Sequence, residues 1–317
     1  ALADSAYAET SPPPAARPSL RRLLRRGECL VAPGIFDGIS LKVAEKVGFQ
    51  ALYMTGFGTV GSHLGVPDAG IASYRDMVER VRTFAALASV PVICDADTGF
   101  GGLLNVAHTV RGYEAAGAAA IQLEDQEFPK QCGHTPGRKV IPIEQAVAKI
   151  KVAVEARASN DFLIIARTDA RGQHSLDEAI RRGRAFAEAG ADILFIESPE
   201  SEEEMKRIGV ELGDLPLLVN AVEGGKTPLL SKKRYAELGY QIAIYPATAF
   251  LAMGKALESV YSSLKAVGDS SSCRSELADF KGFCVTMGFQ EVWDFDHAHA
   301  DLESEMKEQF AKRQRTA

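Results

Sequence analysis

The sequence predicts an α/β fold in which eight parallel strands and their helices close into a TIM-type (β/α)₈ barrel, followed by extra C-terminal helices. Eight apolar runs have the length of strands, segments with helical spacing lie between them, and polar or charged residues follow most of the runs. Continuous apolar strands that alternate with helices indicate a parallel sheet covered on both faces. Eight such units favour a barrel. A doubly wound open sheet is the alternative that the pattern leaves open.

The predicted strands and helices alternate along the chain from residue 29 onward. The strands are predicted at 29–32, 51–55, 90–94, 118–123, 162–166, 193–196, 215–219 and 242–245. The helices between and after them are predicted at 40–47, 74–88, 105–115, 143–156, 176–189, 201–211, 232–237 and 249–265. Gly117 and Gly190 each follow a helical segment directly before a strand, so both are expected to adopt a left-handed conformation that ends the helix.

Three segments make up the predicted domain organisation. Residues 1–18 are rich in Ala, Ser and Pro, which predicts a disordered N-terminal segment. Residues 19–268 form the barrel, and a short amphipathic helix at 19–26 leads into its first strand. Residues 269–317 contain two further helical stretches, 274–287 and 301–313, and are expected to pack on the barrel or on a neighbouring subunit.

Composition excludes several classes of function. The 317 residues carry a net charge of −6, so no basic field points to nucleic acid. No apolar run is long enough to cross a membrane. The five cysteines are odd in number and show no repeated spacing, which favours free thiols in a reducing compartment. The cytoplasm or an organelle matrix is therefore expected, and secretion is not.

Polar residues after the predicted strands form the candidate site. The carboxyl ends of barrel strands meet at one rim, where the active sites of such barrels lie, so these side chains are expected to lie together. The residues in question are Asp95 and Asp97, Glu124, Arg167, Glu197, Asn220, and Pro246 with Thr248, after strands three to eight respectively. Single acids after strands also serve as helix caps or ion-pair partners, but several at one rim favour a functional site.

The chemical types of these residues suggest a metal and a carboxylate. Asp95, Asp97 and Glu124 are hard oxygen donors without paired His or Cys, which favours Mg²⁺ or Mn²⁺ over zinc. Arg167 carries a planar fork that suits two-point binding of a carboxylate, and it would also neutralise the same acids.

The loop after the fourth strand contains Lys130, Cys132 and His134. A thiol flanked by two potential cations is a candidate for a reactive cysteine of lowered pKa. The alternative is an inert thiol in a solvated loop.

A glycine-rich stretch, 56–61, matches the dinucleotide-binding pattern G-x-G-x-x-G after a strand. No acidic residue ends a strand about 20 residues later, as a nicotinamide site requires, and Pro67 and Gly70 interrupt the segment that follows. We interpret the stretch as a glycine-rich loop that binds an anion.

Four motifs together resemble the isocitrate lyase/phosphoenolpyruvate mutase superfamily: 95–101 (DADTGFG), 124–126 (EDQ), 130–134 (KQCGH) and 165–170 (IARTDA). The resemblance extends from about residue 20 to the C-terminus and is nearest to the 2-methylisocitrate lyase, 2,3-dimethylmalate lyase and oxaloacetate hydrolase branches. Gln131 stands where the superfamily usually has a second basic residue, and Phe57 where many members have a small one.

The resemblance implies the chemistry of the site. Mg²⁺, with Mn²⁺ as a substitute, would be held by Asp95 and Asp97 directly and by Asp68 and Glu124 through water. The implied catalytic residues are Cys132 as general acid, Arg167, Tyr53 and Glu197. The implied substrate-binding residues are Thr55, Gly56, Phe57, Gly133, His134, Asn220, Pro246 and Thr248.

The implied function is a Mg²⁺-dependent carbon–carbon lyase. It would cleave a 2-hydroxy di- or tricarboxylate into an α-keto acid such as pyruvate and a second carboxylate. Three alternatives stay open: an oxaloacetate hydrolase, a phosphonopyruvate-type enzyme that makes or breaks P–C bonds, and a barrel without activity that serves as a scaffold.

The expected partners are a small carboxylate substrate and further copies of the chain. The resemblance implies a homotetramer built from two dimers that exchange the eighth barrel helix, and no nucleic acid or membrane partner is expected.

Overall fold

A computed structural model describes residues 17–131 and 137–316, and its eight parallel strands close into a barrel in sequence order. Each strand pairs with the next, and β1 pairs with β8 to complete the ring. The predicted (β/α)₈ barrel is confirmed, and the open doubly wound sheet is excluded. The strands are β1 Leu30–Ile35, β2 Leu52–Met54, β3 Val92–Asp95, β4 Ala120–Glu124, β5 Leu163–Thr168, β6 Ile193–Ile196, β7 Leu217–Asn220 and β8 Tyr240–Tyr245.

Helices surround the barrel, and most begin at a residue that caps their free N–H groups. The Ser73 hydroxyl accepts a hydrogen bond from the Asp76 amide, and the Asp76 carboxylate accepts one from the Ser73 amide, which forms a capping box. The helices up to the last strand and the one after it are α1 Leu20–Leu23, α2 Gly38–Val47, α3 Gly56–Leu64, α4 Tyr74–Leu87, α5 Leu103–Ala115, α6 Ile143–Ala156, α7 Ala170–Gln173, α8 Leu176–Glu188, α9 Glu202–Leu212, α10 Lys232–Glu237 and α11 Thr248–Val267.

Gly117 and Gly190 follow α5 and α8 with φ angles of +96° and +97°. Both glycines therefore have the left-handed conformation that was predicted from their position between helix and strand. A side chain at either position would be strained.

The glycine-rich stretch after β2 is a helix, so the prediction of a loop there is wrong, while anion binding by this stretch stays a prediction. Thr55 caps α3 by accepting a hydrogen bond from the Gly58 amide at 3.5 Å. Close packing requires the glycines: a Cβ at Gly58 would lie 2.9 Å from the Cβ of Phe36, and one at Gly61 would lie 2.7 Å from the Phe250 ring. Low helical propensity concealed this helix in the sequence.

The barrel interior is filled by side chains from all eight strands and is closed at one end by the N-terminal helix. Leu20 of α1 is 1% exposed and belongs to the same interior cluster as Ile93, Leu163 and Phe195. Arg17 donates hydrogen bonds to the carbonyl oxygens of residues that precede β3 and β4. These contacts seal the end of the barrel opposite the rim that carries the polar residues.

The chain divides into two compact units, one that ends at Lys255 and one from Ala256 to Ala317. The division falls inside α11, earlier than the predicted boundary at 268/269. The second unit contains a 3₁₀ helix, Ser271–Glu276, and three α-helices: α12 Phe280–Thr286, α13 Phe289–Ala298 and α14 Leu302–Thr316. Within it, Ser259 donates a hydrogen bond to Glu276 at 2.8 Å.

The predicted helical stretch 274–287 is interrupted, and the helix α13 was not predicted. Asp279 accepts a hydrogen bond from the Gly282 amide at 2.7 Å and starts a new helix there, which ends the continuity of the stretch.

No helix within residues 17–131 and 137–316 is long and apolar enough to span a bilayer. Cys29, Cys94, Cys273 and Cys284, the four cysteines in the described ranges, are free thiols.

Candidate active site

A cavity of about 230 Å³ opens at the carboxyl ends of the strands, where the sequence predicted the site. It is lined by Tyr53, Thr55, Phe57, Asp68, Asp95, Glu124, Lys130, Gln131, Arg167, Asn220, Val222, Glu223, Pro246, Ala247 and Leu251. Nine of the predicted site residues are among these. The predicted residues Cys132, Gly133 and His134 lie outside the described residues.

A buried ion-paired group lies at one side of the cavity. The Lys130 ammonium lies 2.6 Å from Asp68 Oδ1 and 2.7 Å from Asp97 Oδ1, and all three side chains are at most 6% exposed. Asp95 is joined to this group because its Oδ1 accepts a hydrogen bond from the Asp97 amide at 3.1 Å. Three predicted metal ligands are thus gathered around one lysine.

The backbone at this point is strained in a way that brings the acids together. Asp97 has a φ angle of +50°, which a non-glycine residue rarely adopts. Gly56, at the start of α3, approaches so closely that a Cβ there would collide with Oδ2 of Asp95. Strain of this kind is concentrated at functional sites. The close approach of Gly56 to the Asp95 carboxylate favours glycine at position 56.

Three buried acids at the cavity have raised pKa values. Burial raises the pKa of Asp97 to about 7, and it also raises the pKa of Asp95 and, well above its usual value, that of Glu124. The buried Glu124 Oε1 has no hydrogen-bond partner among the described residues. A cation stabilises carboxylates that are buried and lack hydrogen-bond donors.

Oxygen donors of this kind suit Mg²⁺ or Mn²⁺ in chemical type. In the described part of the chain, however, no three or more His, Cys, Asp and Glu side chains already form a group that could hold a metal ion. The cation seen between two of the four predicted ligands is the Lys130 ammonium.

Lys130, which was predicted as a cation beside the Cys132 thiol, contacts two acids of the rim, Asp68 and Asp97, with its ammonium. The position of Cys132 lies outside the described residues. Burial alone would lower the pKa of Lys130, but the carboxylates of Asp97, Asp68 and Asp95 raise it well above its usual value. The lysine therefore stays charged and neutralises part of the buried acid group.

Arg167, at the end of β5, is the second cation of the site. It binds Asp169 with two hydrogen bonds of 2.9 and 3.0 Å, and it lies 3.3 Å from both Glu124 and Glu197. The guanidinium carbon also lies 5.1 Å from the centre of the Phe195 ring. Burial on its own would lower the pKa of Arg167, but these three carboxylates raise it well above its usual value.

A further layer of charged residues holds Arg167 in position, and the sequence analysis did not include it among the site residues. Asp169 is also ion-paired with Arg138, which follows the Cys132 loop in the chain. Asp125 accepts hydrogen bonds from the Asp169 amide at 2.9 Å, from the Thr168 hydroxyl at 2.7 Å and from Arg182 at 2.8 Å. Asp125 and Asp169 belong to the motifs at 124–126 and 165–170. No other feature of the sequence indicated their role.

Tyr53 and Gln122 link the interior of the barrel to the acids. The Tyr53 hydroxyl donates a hydrogen bond to Gln122 Oε1 at 3.1 Å, and the Gln122 amide lies 3.4 Å from Asp95 Oδ1. Burial raises the pKa of Tyr53 well above its usual value, so the hydroxyl remains a proton donor.

On the other side of Arg167, Glu197 and Asn220 are joined. Asn220 Nδ2 donates a hydrogen bond to Glu197 Oε2 at 3.0 Å, and Ser198 donates one to Glu197 Oε1 at 3.1 Å. Glu197 is fully buried, so it lies behind the lining residues and orients Arg167 and Asn220.

Thr248 lies outside the lining of the cavity. Its hydroxyl donates a hydrogen bond of 2.6 Å to Glu223, which does line it. Pro246 lines the cavity, and a Cβ at Gly34 would lie only 2.6 Å from the Pro246 carbonyl oxygen, so the proline backbone is held against β1.

Comparison with known proteins gives a consistent family. A family model described as "Phosphoenolpyruvate phosphomutase" matches residues 20–265. Among curated proteins, "2,3-dimethylmalate lyase" of Eubacterium barkeri is 47% identical over 89% of this chain and 97% of its own length. "2-Methylisocitrate lyase" of Aeropyrum pernix is 40% identical over 94% of this chain and 96% of its own.

Solved structures agree. Oxaloacetate acetylhydrolase in complex with 3,3-difluorooxalacetate superposes with a TM-score of 0.84 at 35% identity, over 89% of this chain and 96% of that one. A 2,3-dimethylmalate lyase, titled a PEP mutase/isocitrate lyase superfamily member, gives 0.83 at 37% identity, over 88% and 93%. Phosphonopyruvate hydrolase with oxalate and Mg²⁺ gives 0.79 at 32% identity, over 88% and 97%.

Proposed function

The chain belongs to the phosphoenolpyruvate mutase/isocitrate lyase superfamily, as its motifs predicted, and we propose that it is a Mg²⁺-dependent lyase of 2-hydroxycarboxylates. The substrate we propose is an alkyl-substituted malate or isocitrate, of the 2,3-dimethylmalate or 2-methylisocitrate type. The observation that carries the proposal is that Arg167 and the buried acids face one small cavity at the strand ends. The two curated relatives described above bear the names of lyases.

The reaction breaks the bond between C2, which bears the hydroxyl, and C3, which bears the second carboxylate. The hydroxyl loses its proton and becomes the carbonyl of an α-keto acid, while the electron pair of the broken bond passes to C3 and its carboxylate. A proton delivered to C3 completes the second product. For 2,3-dimethylmalate the products are pyruvate and propionate, which together contain all atoms of the substrate.

Charged side chains of the site supply the proton acceptor and stabilise the developing charge. Glu124, which lines the cavity, would take the hydroxyl proton. Arg167 stays charged and presents N–H groups to oxygens that become negative, and such fixed donors are a large part of catalysis. Cys132, which lies outside the described residues, would give the proton to C3 as general acid.

Asp95 and Asp97 would hold Mg²⁺, with Asp68 and Glu124 binding it through water. When bound, the ion would supply a fixed positive charge beside the hydroxyl and carboxylate oxygens of the substrate. The oxygen-donor type of these side chains supports this assignment, as does a relative solved with Mg²⁺.

We expect the purified protein with Mg²⁺ to convert 2,3-dimethylmalate into equal amounts of pyruvate and propionate.

Arg167→Lys keeps the charge but loses the planar guanidinium that binds Asp169 with two hydrogen bonds. We therefore expect kcat to fall about 100-fold, which is typical for the loss of one oriented donor. Pyruvate release followed with a coupled dehydrogenase measures both. Arg171→Lys is the matched control, since Arg171 contacts Glu200 and Glu204 outside the cavity. Equal rates for the two variants would contradict the role of Arg167.

Oxaloacetate hydrolysis is the second candidate, since a hydrolase of that name is among the similar structures. Such an enzyme must bind the hydrated ketone and profits from a hydroxyl at the end of β8. Pro246 offers neither a hydroxyl nor an N–H at that place, and the nearby Thr248 hydroxyl is engaged with Glu223. We therefore favour the lyase.

We expect little oxaloacetate hydrolysis by the wild-type protein, and Pro246→Ser to raise kcat/KM for oxaloacetate relative to alkylmalates by about 10-fold, the order of one recognised polar group. The assay compares oxalate release with pyruvate release. Pro246→Ala separates the loss of the ring from the gain of the hydroxyl. A wild-type preference for oxaloacetate would overturn this choice.

We also propose that the chain assembles into a homotetramer of helix-exchanging dimers. Large apolar side chains of the second unit are exposed in the single chain, among them Phe280, Phe289, Val292, Trp293 and Phe295. Monomeric proteins rarely expose so many. Light scattering measures the mass, and a monomer would contradict the proposal.

A further inference from the structure

The cavity has one polar side and one apolar side. Asp68, Asp95, Glu124, Lys130 and Arg167 line the polar side, where the bond is broken. The opposite side is lined by Phe57, Val222, Pro246, Ala247 and Leu251, from the start of α3, the segment after β7 and the start of α11. An apolar wall in a cavity for a charged substrate indicates that the substrate carries an apolar group on that side.

Aromatic contacts hold the apolar wall in place. The Phe57 ring meets the Phe250 ring edge to face, with centres 5.4 Å apart, and Phe250 meets Phe36 in the same way at 5.0 Å. Because Phe250 directly precedes Leu251 on α11, this packing holds the Phe57 ring and the backbone that carries Leu251. Phe57 and Leu251 nevertheless remain 36% and 48% exposed, so both still have apolar surface to offer to a ligand.

The two cations among the described lining residues belong to the polar side of the cavity, and both are ion-paired. Lys130 is paired with Asp68 and Asp97, and Arg167 with Glu124, Asp169 and Glu197. Among the described residues no other lysine or arginine lines the cavity. On the apolar side the charged lining group is Glu223, a carboxylate. A substrate carboxylate directed to that side would meet mainly carbon atoms and the like charge of Glu223, without a lysine or arginine among the described lining residues there, and this disfavours it.

The substrates in the names of the two curated relatives described above differ at one substituent. Cleavage of either gives pyruvate from C2, while C3 carries a methyl group in 2,3-dimethylmalate and a carboxymethyl group in 2-methylisocitrate. Resting on the proposed lyase function, we infer that Leu251, with Phe57 and Val222, forms the pocket for the C3 substituent and selects a methyl over a carboxymethyl group. The substrate class is then an alkylmalate, a dicarboxylate, rather than a tricarboxylate.

The test compares kcat/KM for the two substrates in the wild-type protein and in Leu251→Arg, with pyruvate as the common product. We expect the wild type to prefer 2,3-dimethylmalate by about 100-fold, within the range that one substituent in an apolar pocket supports. An arginine at 251 supplies the missing cation, so Leu251→Arg is expected to shift the ratio at least about 10-fold toward 2-methylisocitrate. Leu251→Met, which stays apolar, is expected to keep the wild-type preference.

Val210→Arg, on the outer face of α9 and 77% exposed, is the control for an added charge and should leave both rates unchanged. Leu251→Lys tests the same point if the arginine variant folds poorly. A wild type that cleaves 2-methylisocitrate as well as the alkylmalate would overturn the inference while leaving the lyase function intact, and so would an unchanged ratio in the folded arginine and lysine variants. Failure to cleave either substrate would instead overturn the proposed function.

Discussion

Cys132→Ser is expected to abolish turnover and to leave substrate binding intact. General acid catalysis commonly contributes about 10²- to 10⁴-fold, and a serine hydroxyl, with its much higher pKa, is a poor proton donor to a carbanion. The measurement is kcat by pyruvate release, together with the dissociation constant of the substrate by calorimetry. Binding is expected to persist because the groups that hold the substrate, such as Arg167 and Asn220, are unchanged.

Cys284→Ser is the matched control for the cysteine variant. Cys284 is a free thiol in the second compact unit, on α12, and is not among the lining residues of the cavity. We expect it to retain wild-type kcat. Near-normal turnover of Cys132→Ser would instead mean that Cys132 is only a residue of its loop, as the alternative interpretation of the sequence had it.

Asp97→Asn is the second variant with a large expected effect, and activity is expected to disappear with it. The substitution keeps the size of the side chain but removes one negative charge, while Lys130 keeps its contact with Asp68 at 2.6 Å. A site for Mg²⁺ with one fewer carboxylate binds the ion weakly. We expect chelation to abolish wild-type activity, Mg²⁺ or Mn²⁺ to restore it, and neither ion to restore the variant at concentrations that saturate the wild type.

A direct measurement of ion binding distinguishes a metal-binding role of Asp97 from a structural role. Titration with Mn²⁺, followed by electron paramagnetic resonance, should show one tight site in the wild type and a weakened one in Asp97→Asn. Asp177→Asn, on an exposed position of α8, should bind as the wild type does. Activity restored by Zn²⁺ alone would contradict the assignment of oxygen ligands to Mg²⁺.

The barrel was predictable because its strands are continuous apolar runs, each followed by a helix. Residues such as Ile93, Ile164 and Phe195 are fully buried and belong to strands recognised in the sequence. The helix α3 was not, because glycines at 56, 58 and 61 lower helical propensity and are retained for close packing. Tertiary contacts thus decided the local structure where propensity pointed elsewhere.

The rim residues were predictable from their position after strands, but the links between them were not. Asp95, Glu124 and Arg167 lie at the cavity as expected. The ion pair of Lys130 with Asp97 and that of Arg138 with Asp169 join segments that are 33 and 31 residues apart in the chain. No periodicity or motif specifies such pairs, because they depend on where the loops lie on the finished barrel.

The central claim is that the protein breaks the carbon–carbon bond of an alkylmalate. A single competition experiment tests it most directly: equal amounts of 2,3-dimethylmalate, oxaloacetate and phosphonopyruvate are incubated with the protein and Mg²⁺, and the products are followed by proton and phosphorus NMR. We predict that pyruvate and propionate appear first and in equal amounts, while the phosphonopyruvate signal stays unchanged. Early formation of phosphoenolpyruvate or phosphate, or of oxalate and acetate, with intact dimethylmalate would contradict the claim.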